Sequence, residues 1–265
     1  MKRLSIEWNR FSVGMVIGGF LGACLLLPLA AAAQQNAPAG QTRAVVELFT
    51  SQGCASCPPA DLLMCDYARD ASVVVLTLPV TCWDYLGWRD TLANEKFTKR
   101  QRIYAKLRGA RRIYTPQAIV NGVAHVIGSD DTALRKALHT QSVASRAPLP
   151  IAVLIARKDG GFRVTITPTA EVSREPATVV LAPFYRERTV RVEGGENNGR
   201  ELHYFNVVRD LVPLASLAAQ PHQTLDLPTP DAMPDGTDGF AILVQSGDPA
   251  APGRMLGAAT FTAPE

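Results

Sequence analysis

VVELFTSQGCASCPPADLLMC, Val45 to Cys65, is the stretch on which the fold turns. "AVVELF", Ala44 to Phe49, is β-branched and aromatic and reads as a strand. Pro58 and Pro59 fit only the first turn of a helix, where their missing N–H groups are not needed. Between strand and helix stand Cys54 and Cys57, spaced C-x-x-C. A cysteine pair at that junction suits three kinds of chemistry: a redox dithiol, half of a metal site, or a structural staple. Backbone N–H groups at a helix start carry partial positive charge and stabilise a thiolate, which is the nucleophile of thiol–disulfide exchange. Cys54, on the loop side, is then the attacking thiol and Cys57 the resolving one.

Outward from this stretch the chain alternates. "SVVVLTLPV" reads as a buried strand, and "LANEKFTKRQRIYAKLRG" has apolar residues near helical spacing and ends on Gly109. "QAIV" and "AHVIG" flank Asn121-Gly122, a strong hairpin signal, and "SDDTALRKALHTQS" reads as a helix capped by Ser129 or Asp130. The order β-α-β-α-β-β-α over residues 44–146 is the thioredoxin arrangement. After "RAPLP" helical periodicity fades, and residues 147–265 offer eight candidate strands: PIAVLIA, FRVTIT, TVVLAPFY, TVRVE, LHYFNVV, QTLDL, FAILVQ and MLGAATF. Short strands separated by turns such as Asp159-Gly160 and Asn198-Gly199 predict a β-rich, sandwich-like second domain. "VRDLVPLASLA" reads as a helical insertion within it. The fold class is therefore α/β, a thioredoxin-like domain followed by a β-rich region.

The N-terminus carries Lys2, Arg3 and Arg10, then an uncharged apolar run, then Ala31-Ala32-Ala33. That order predicts a signal peptide over residues 1–33, with 34–43 as a polar leader. An uncleaved anchor and a lipoprotein box at Cys24 are the alternatives. Export to the periplasm or beyond permits disulfides among Cys54, Cys57, Cys65 and Cys82. The net charge is +3, and removing residues 1–33 leaves 24 basic against 23 acidic residues. Such a balance argues against nucleic acid as a partner. No second long apolar run follows, so no stable membrane association is expected of the cleaved chain.

Further residues gather around the dithiol. Thr115-Pro116 precedes the "QAIV" strand, where thioredoxin-like folds place a cis-proline that docks the partner chain. "WDYLGW" offers Trp83, Tyr85 and Trp88 as walls for a bound peptide, or as packing. Glu47 interrupts the apolar strand, where thioredoxins keep a buried acid that relays a proton to the resolving cysteine. It stands seven residues before Cys54 rather than six, and one residue flips the face of a strand. His125 and His139 are isolated and read as ordinary histidines. No cofactor is needed, since the dithiol itself carries two electrons, and no metal site is assigned.

Together, "VVELFTSQGCASCPPAD", "WDYLGW", "YTPQAIVNG", "GGENNG" with "NVVR" behind it, and "VQSG...LGAA" resemble the family called domain of unknown function 1223. The resemblance spans about Val45 to Thr260 and implies an exported, thioredoxin-like protein with an appended β-rich region. It implies no substrate, though the "GGENNG" match raises a contact role for Glu196 or Asn197 beside its plain reading as a turn. Such proteins read H-V-D-Y-W-D before "LGW", where this chain has Pro79, Val80, Thr81, Cys82, Trp83 and Asp84. Cys65 and Cys82 both depart from that pattern, on neighbouring elements of one β-α-β unit. They are expected to form a second, structural disulfide. The expected activity is thiol–disulfide exchange with protein thiols and disulfides as partners. The alternative is a periplasmic copper chaperone using the same two thiolates, which are soft ligands.

Overall fold

The computed structural model describes residues 42–145, 149–168, 176–217, 222–234 and 236–264, the side chains of 142–145 aside. The expected signal peptide and most of the leader lie outside these residues. All of the described residues fall in one compact unit. The first half contains β1 (Ala44–Thr50), α1 (Pro58–Ala68), β2 (Val73–Pro79), α2 (Glu95–Leu107), β3 (Gln117–Val120), β4 (Ala124–Ile127) and α3 (Asp131–Ser145). β1 pairs with β2 in parallel, and β3 runs antiparallel to both β1 and β4. The Asn121-Gly122 turn has positive φ at both residues, 52° and 74°, as a tight hairpin requires. Asp130 caps α3, its Oδ1 accepting from Ala133 N at 2.9 Å.

The second half contains β5 (Ile151–Lys158), β6 (Gly161–Pro168), β7 (Ala177–Arg191), β8 (Glu201–Val208), β9 (Val212–Ser216), β10 (Gln223–Pro228), a short α4 (Thr229–Ala232), β11 (Gly239–Asp248) and β12 (Ala251–Thr262). Five of these strands do not form a sheet of their own. They extend the first one, in the order β12-β11-β7-β8-β2-β1-β3-β4, with β9 also paired to β7. The join is between β2 and β8. Thr77 sits beside Val207, Thr77 Oγ1 donates to Phe205 O, and Asn206 Nδ2 donates to Val75 O. The boundary expected after residue 146 thus falls between α3 and β5, while the sheet continues across it. The result is a mixed α/β architecture dominated by one large sheet.

Alternation along β1 sorts its side chains. Val45 and Phe49 face α2, in a core with Leu76, Phe97 and Tyr104 that continues into Phe184, Leu243 and Met255. Ala44, Val46 and Leu48 face the other way, onto Ala60 and Met64 of α1 and Leu134 of α3. Each fully buried Leu or Phe contributes about 1.5–3 kcal/mol, so the shared core binds the two halves firmly. The second sheet, β10-β6-β5, lays Phe162, Val164 and Ile166 against Val179, Phe240, Ile242 and Phe261 of the large one.

Two expectations are corrected here. Leu211 to Leu217 form no helix; Val212–Ser216 is strand β9, paired antiparallel with β7 through a bulge. Pro213 lies in that strand, and proline suits a strand edge or bulge better than a helix interior. Cys65 and Cys82 are free thiols, not a disulfide. The sheet lies between them: Cys65 is on α1, while Cys82 packs against the core on the α2 face. Burial pushes the Cys82 thiol up to about 11, so it behaves as a small apolar side chain.

Candidate functional site

The loop between β1 and α1 is a tight succession of turns. Cys54 N donates to Ser51 O, Cys57 N to Cys54 O, and Ala60 and Asp61 N to Cys57 O. Cys57 is the residue immediately before α1, and Pro58-Pro59 supply its first two positions. These turns bring the two cysteine Cα atoms to 5.4 Å, and Cys54 and Cys57 are joined as a disulfide. The prolines remove two N–H groups from the helix start, so the positive end expected there is thinner than in a helix without them. Cys54 is only 3% exposed and Cys57 is fully buried. Ala55 and Ser56 between them are exposed and form the rim, with Ser56 Oγ 3.4 Å from Cys54 Sγ.

Thr115 and Trp83 join this loop. The Thr115–Pro116 peptide bond is cis. Trp83 Nε1 donates to Thr115 Oγ1 at 2.7 Å, and Trp83 lies so close to Gly53 that a Cβ there would sit 3.1 Å from Trp83 Cβ. Pro116 packs toward Ala60 of α1 across Gly128, where a Cβ would lie 3.2 Å from one and 3.3 Å from the other. Tyr85 is 75% exposed and stacks on Trp83, ring centroids 6.2 Å apart. Trp88 turns inward: its Nε1 donates to Gln52 Oε1 at 2.8 Å, and its ring packs with Leu92 and Tyr204. Of the two tryptophans, Trp83 forms the open wall with Tyr85, and Trp88 braces the loop from behind.

Glu47 is not part of this group. It is fully buried on the α2 face, with Oε1 accepting from Arg100 Nε and Oε2 from Tyr104 OH, both at 2.7 Å. Arg100 Nη2 also donates to Tyr104 OH and to Gln245 Oε1 on β11. Glu47 is therefore one corner of an ion-paired network between the halves of the chain. His125 belongs to the same region, edge-on to Tyr104 with centroids 6.0 Å apart. Its imidazolium is disfavoured by burial and by Arg108.

The acid near the dithiol is one that sequence reading passed over. Asp61 lies one turn after Cys57 in α1, buried, and neither carboxyl oxygen has a hydrogen-bond partner among the described residues. Burial raises its pKa well above the usual carboxylate range, and the charge of Asp90 adds to it. Among the described residues the Thr50 and Tyr204 hydroxyls are likewise buried without partners. Asp90 accepts from Gln52 N through Oδ2 and from Leu92 and Ala93 N through Oδ1. Burial nonetheless holds its pKa up at about 6, against the pull of those three amides. An aspartate in a first helical turn reads from sequence as a favourable partner of the helix dipole. What the local sequence does not show is that α1 packs against β8, a strand of the second half that carries Tyr204.

A hairpin loop from the second half closes the arrangement. Gly195–Asn197 form one 3-10 turn between β7 and β8. Asn197 is fully buried, and its Nδ2 donates to both Gln52 O and Cys54 O at 2.9 Å. Ala55 N donates to Glu196 Oε2 at 3.3 Å. Among the described residues no group of three or more histidine, cysteine, aspartate or glutamate side chains is placed to hold a metal ion.

These features define a mixed α/β protein with a buried disulfide at a strand–helix junction, walled by segments from both halves. The chain belongs to the family described as Protein of unknown function (DUF1223), which matches residues 45–245. It is similar to a protein from Agrobacterium tumefaciens known from an X-ray crystal structure, at 32% sequence identity, covering 85% of this chain and 96% of that one, with a TM-score of 0.71. No curated protein matches it.

Proposed function

We propose that this protein is an exported thiol–disulfide oxidoreductase built on a thioredoxin-like unit. The observation that carries the reading is the Cys54–Cys57 disulfide at the entry to α1, linked through Gly53 and Trp83 to Thr115. The sheet order β2-β1-β3-β4, with α1 and α3 on one face and α2 on the other, supports the thioredoxin-like assignment.

In the reduced protein the Cys54 thiolate attacks one sulfur of a substrate disulfide. A mixed disulfide forms and one substrate thiolate leaves. Cys57, as thiolate, then attacks Cys54 Sγ, expelling the second substrate thiolate and closing Cys54–Cys57. Two electrons pass to the substrate; run backward, the same steps oxidise a substrate dithiol. Cys57 has no solvent exposure, so its proton needs a nearby acceptor, and Asp61 one turn along the helix takes that part in place of Glu47. Burial raises its pKa above the usual carboxylate range, which favours the protonated form and so suits a group that takes up the proton Cys57 gives up. Thr115, Trp83 and Tyr85 form the surface on which the partner chain docks. Among the described residues no helix is long and apolar enough to cross a membrane.

The test is a trap. Cys57→Ala leaves Cys54 to attack and removes the resolving thiol, so covalent adducts dependent on Cys54 accumulate in the periplasm. Absence of adducts, with a Cys54 pKa near the ordinary ~8.5 and no dithiol-dependent insulin reduction, removes the reading. Copper(I) bound one per chain and lost in Cys54→Ser would make the same dithiol a metal carrier instead.

A further inference from the structure

The β7–β8 loop supplies the dithiol turn with contacts that packing alone does not require. Asn197 enters as a fork: one buried amide group holds the carbonyls of Gln52 and Cys54, while Arg200 Nη1 donates to its Oδ1 at 2.8 Å. Glu196 takes the Ala55 N–H, an amide next to Cys54. The loop docks closely. A Cβ on Gly194 would lie 2.8 Å from Gly87 O, and Gly195 has φ +67°. Side chains at either position would lift Glu196 and Asn197 off the turn. The segment "GGENNG" thus has one residue pair for approach and one for contact.

We propose that Glu196 and Asn197 are positioning residues that set the nucleophilicity of Cys54 from the second half of the chain. The carboxylate of Glu196 takes up the amide of Ala55, the residue after Cys54, and brings a negative charge to the turn. Both effects favour the protonated thiol. Asn197 acts in the opposite sense, since its donor end polarises the Cys54 carbonyl and fixes the turn. Glu196 therefore holds Cys54 less acidic than the turn and Asn197 would together make it. The other charged or titratable groups against the turn are Asp90 on Gln52 N, Asp61 in the first turn of α1, and Arg200 behind Asn197.

The inference rests on the redox reading, and its test is independent of any partner. The full chain, reduced, is titrated by the pH dependence of Cys54 alkylation in wild type, Glu196→Gln and Glu196→Lys. Glu196 is exposed, so these variants keep the fold. The expected midpoint falls in the order wild type, Gln, Lys. The thiolate fraction at pH 7 rises about two- to fivefold at each step and the differences shrink in 1 M salt. Asn197→Ala should move the midpoint upward. Superimposed titrations of wild type, Gln and Lys overturn the proposal even if the trap succeeds. A charge-ordered series keeps it even where an empty trap, an ordinary Cys54 pKa and the absence of insulin reduction remove the oxidoreductase.

Discussion

Arg100→Met tests whether Glu47 is structural or catalytic. The methionine keeps the apolar stem and deletes three hydrogen bonds, to Glu47, Tyr104 and Gln245. It leaves a fully buried carboxylate with Tyr104 OH as its one remaining partner from the network. Breaking a buried ion pair from one side costs about 3–5 kcal/mol, because the stranded charge keeps its desolvation penalty. For a chain of this size each kcal/mol moves the midpoint of thermal unfolding by about 2–4 °C, so a fall of about 6–20 °C is expected. Glu47→Gln in the same background removes the stranded charge and still accepts from Tyr104. The double variant should recover about 2 kcal/mol, read as a coupling energy in a double-mutant cycle from urea unfolding at pH 7. Glu47→Gln alone should leave thiol–disulfide exchange unchanged, since its partners lie on the sheet face away from α1. The reasoning fails if Arg100→Met costs less than about 1 kcal/mol, if the double variant is no more stable than the single, or if Glu47→Gln slows exchange.

Asp61→Asn should slow resolution of the mixed disulfide on the order of 10²-fold while leaving the first attack by Cys54 intact; acid-quench measurement of the two steps decides, and an unchanged second step in a folded variant removes Asp61 from the mechanism. Asp90 is held up to about 6 in the fold, against about 3.9 unfolded. The fold binds its proton more tightly, so this stabilisation is full below pH 4 and is lost, by about 3 kcal/mol, as pH rises through 6. Asp61 pushes in the same direction. Asp90→Asn keeps the Leu92 and Ala93 contacts and should flatten the slope of unfolding free energy between pH 4 and 7; a wild-type slope contradicts the assignment. Alkylation of the unfolded, unreduced protein should label Cys65 and Cys82 and spare Cys54 and Cys57, and a Cys65–Cys82 peptide in the mass map would restore the second disulfide.

What sequence reading reached and what it missed divide along one physical line. Features set within a few residues were legible: the Asn121-Gly122 turn, the Asp130 cap, and the strand–dithiol–helix order around Cys54. Features that depend on which face of the sheet a residue meets were not. Glu47 and the α1-facing residues Val46 and Leu48 are neighbours in sequence and lie on opposite sides of β1. Cys65 and Cys82 belong to one β-α-β unit, yet the sheet separates them. Asp61 looks like a routine helix-start acid until β8 arrives over it. The deciding contacts come from elsewhere in the fold: α2 for Glu47, β8 for the helix that carries Asp61, Asn197 for the Cys54 turn.

The same line explains why the β-rich half reaches the Cys54 turn. Had residues 147–265 formed a separate sandwich, the Cys54 loop would be finished by its own unit, and the strands beyond would be free to serve another purpose. Pairing of β8 to β2 instead brings β8 against α1 and the β7–β8 loop onto the Cys54 turn. The packing of β8 on α1, where Asp61 lies buried, and the carbonyl fork beside Cys54 then exist only in the joined sheet. Cutting the chain after residue 146 should therefore expose Asp61, release the Gln52 and Cys54 carbonyls and open the α2-face core at Phe184 and Leu243. A truncated protein that still folds cooperatively and titrates Cys54 as the full chain does would show that the second half contributes nothing to the site.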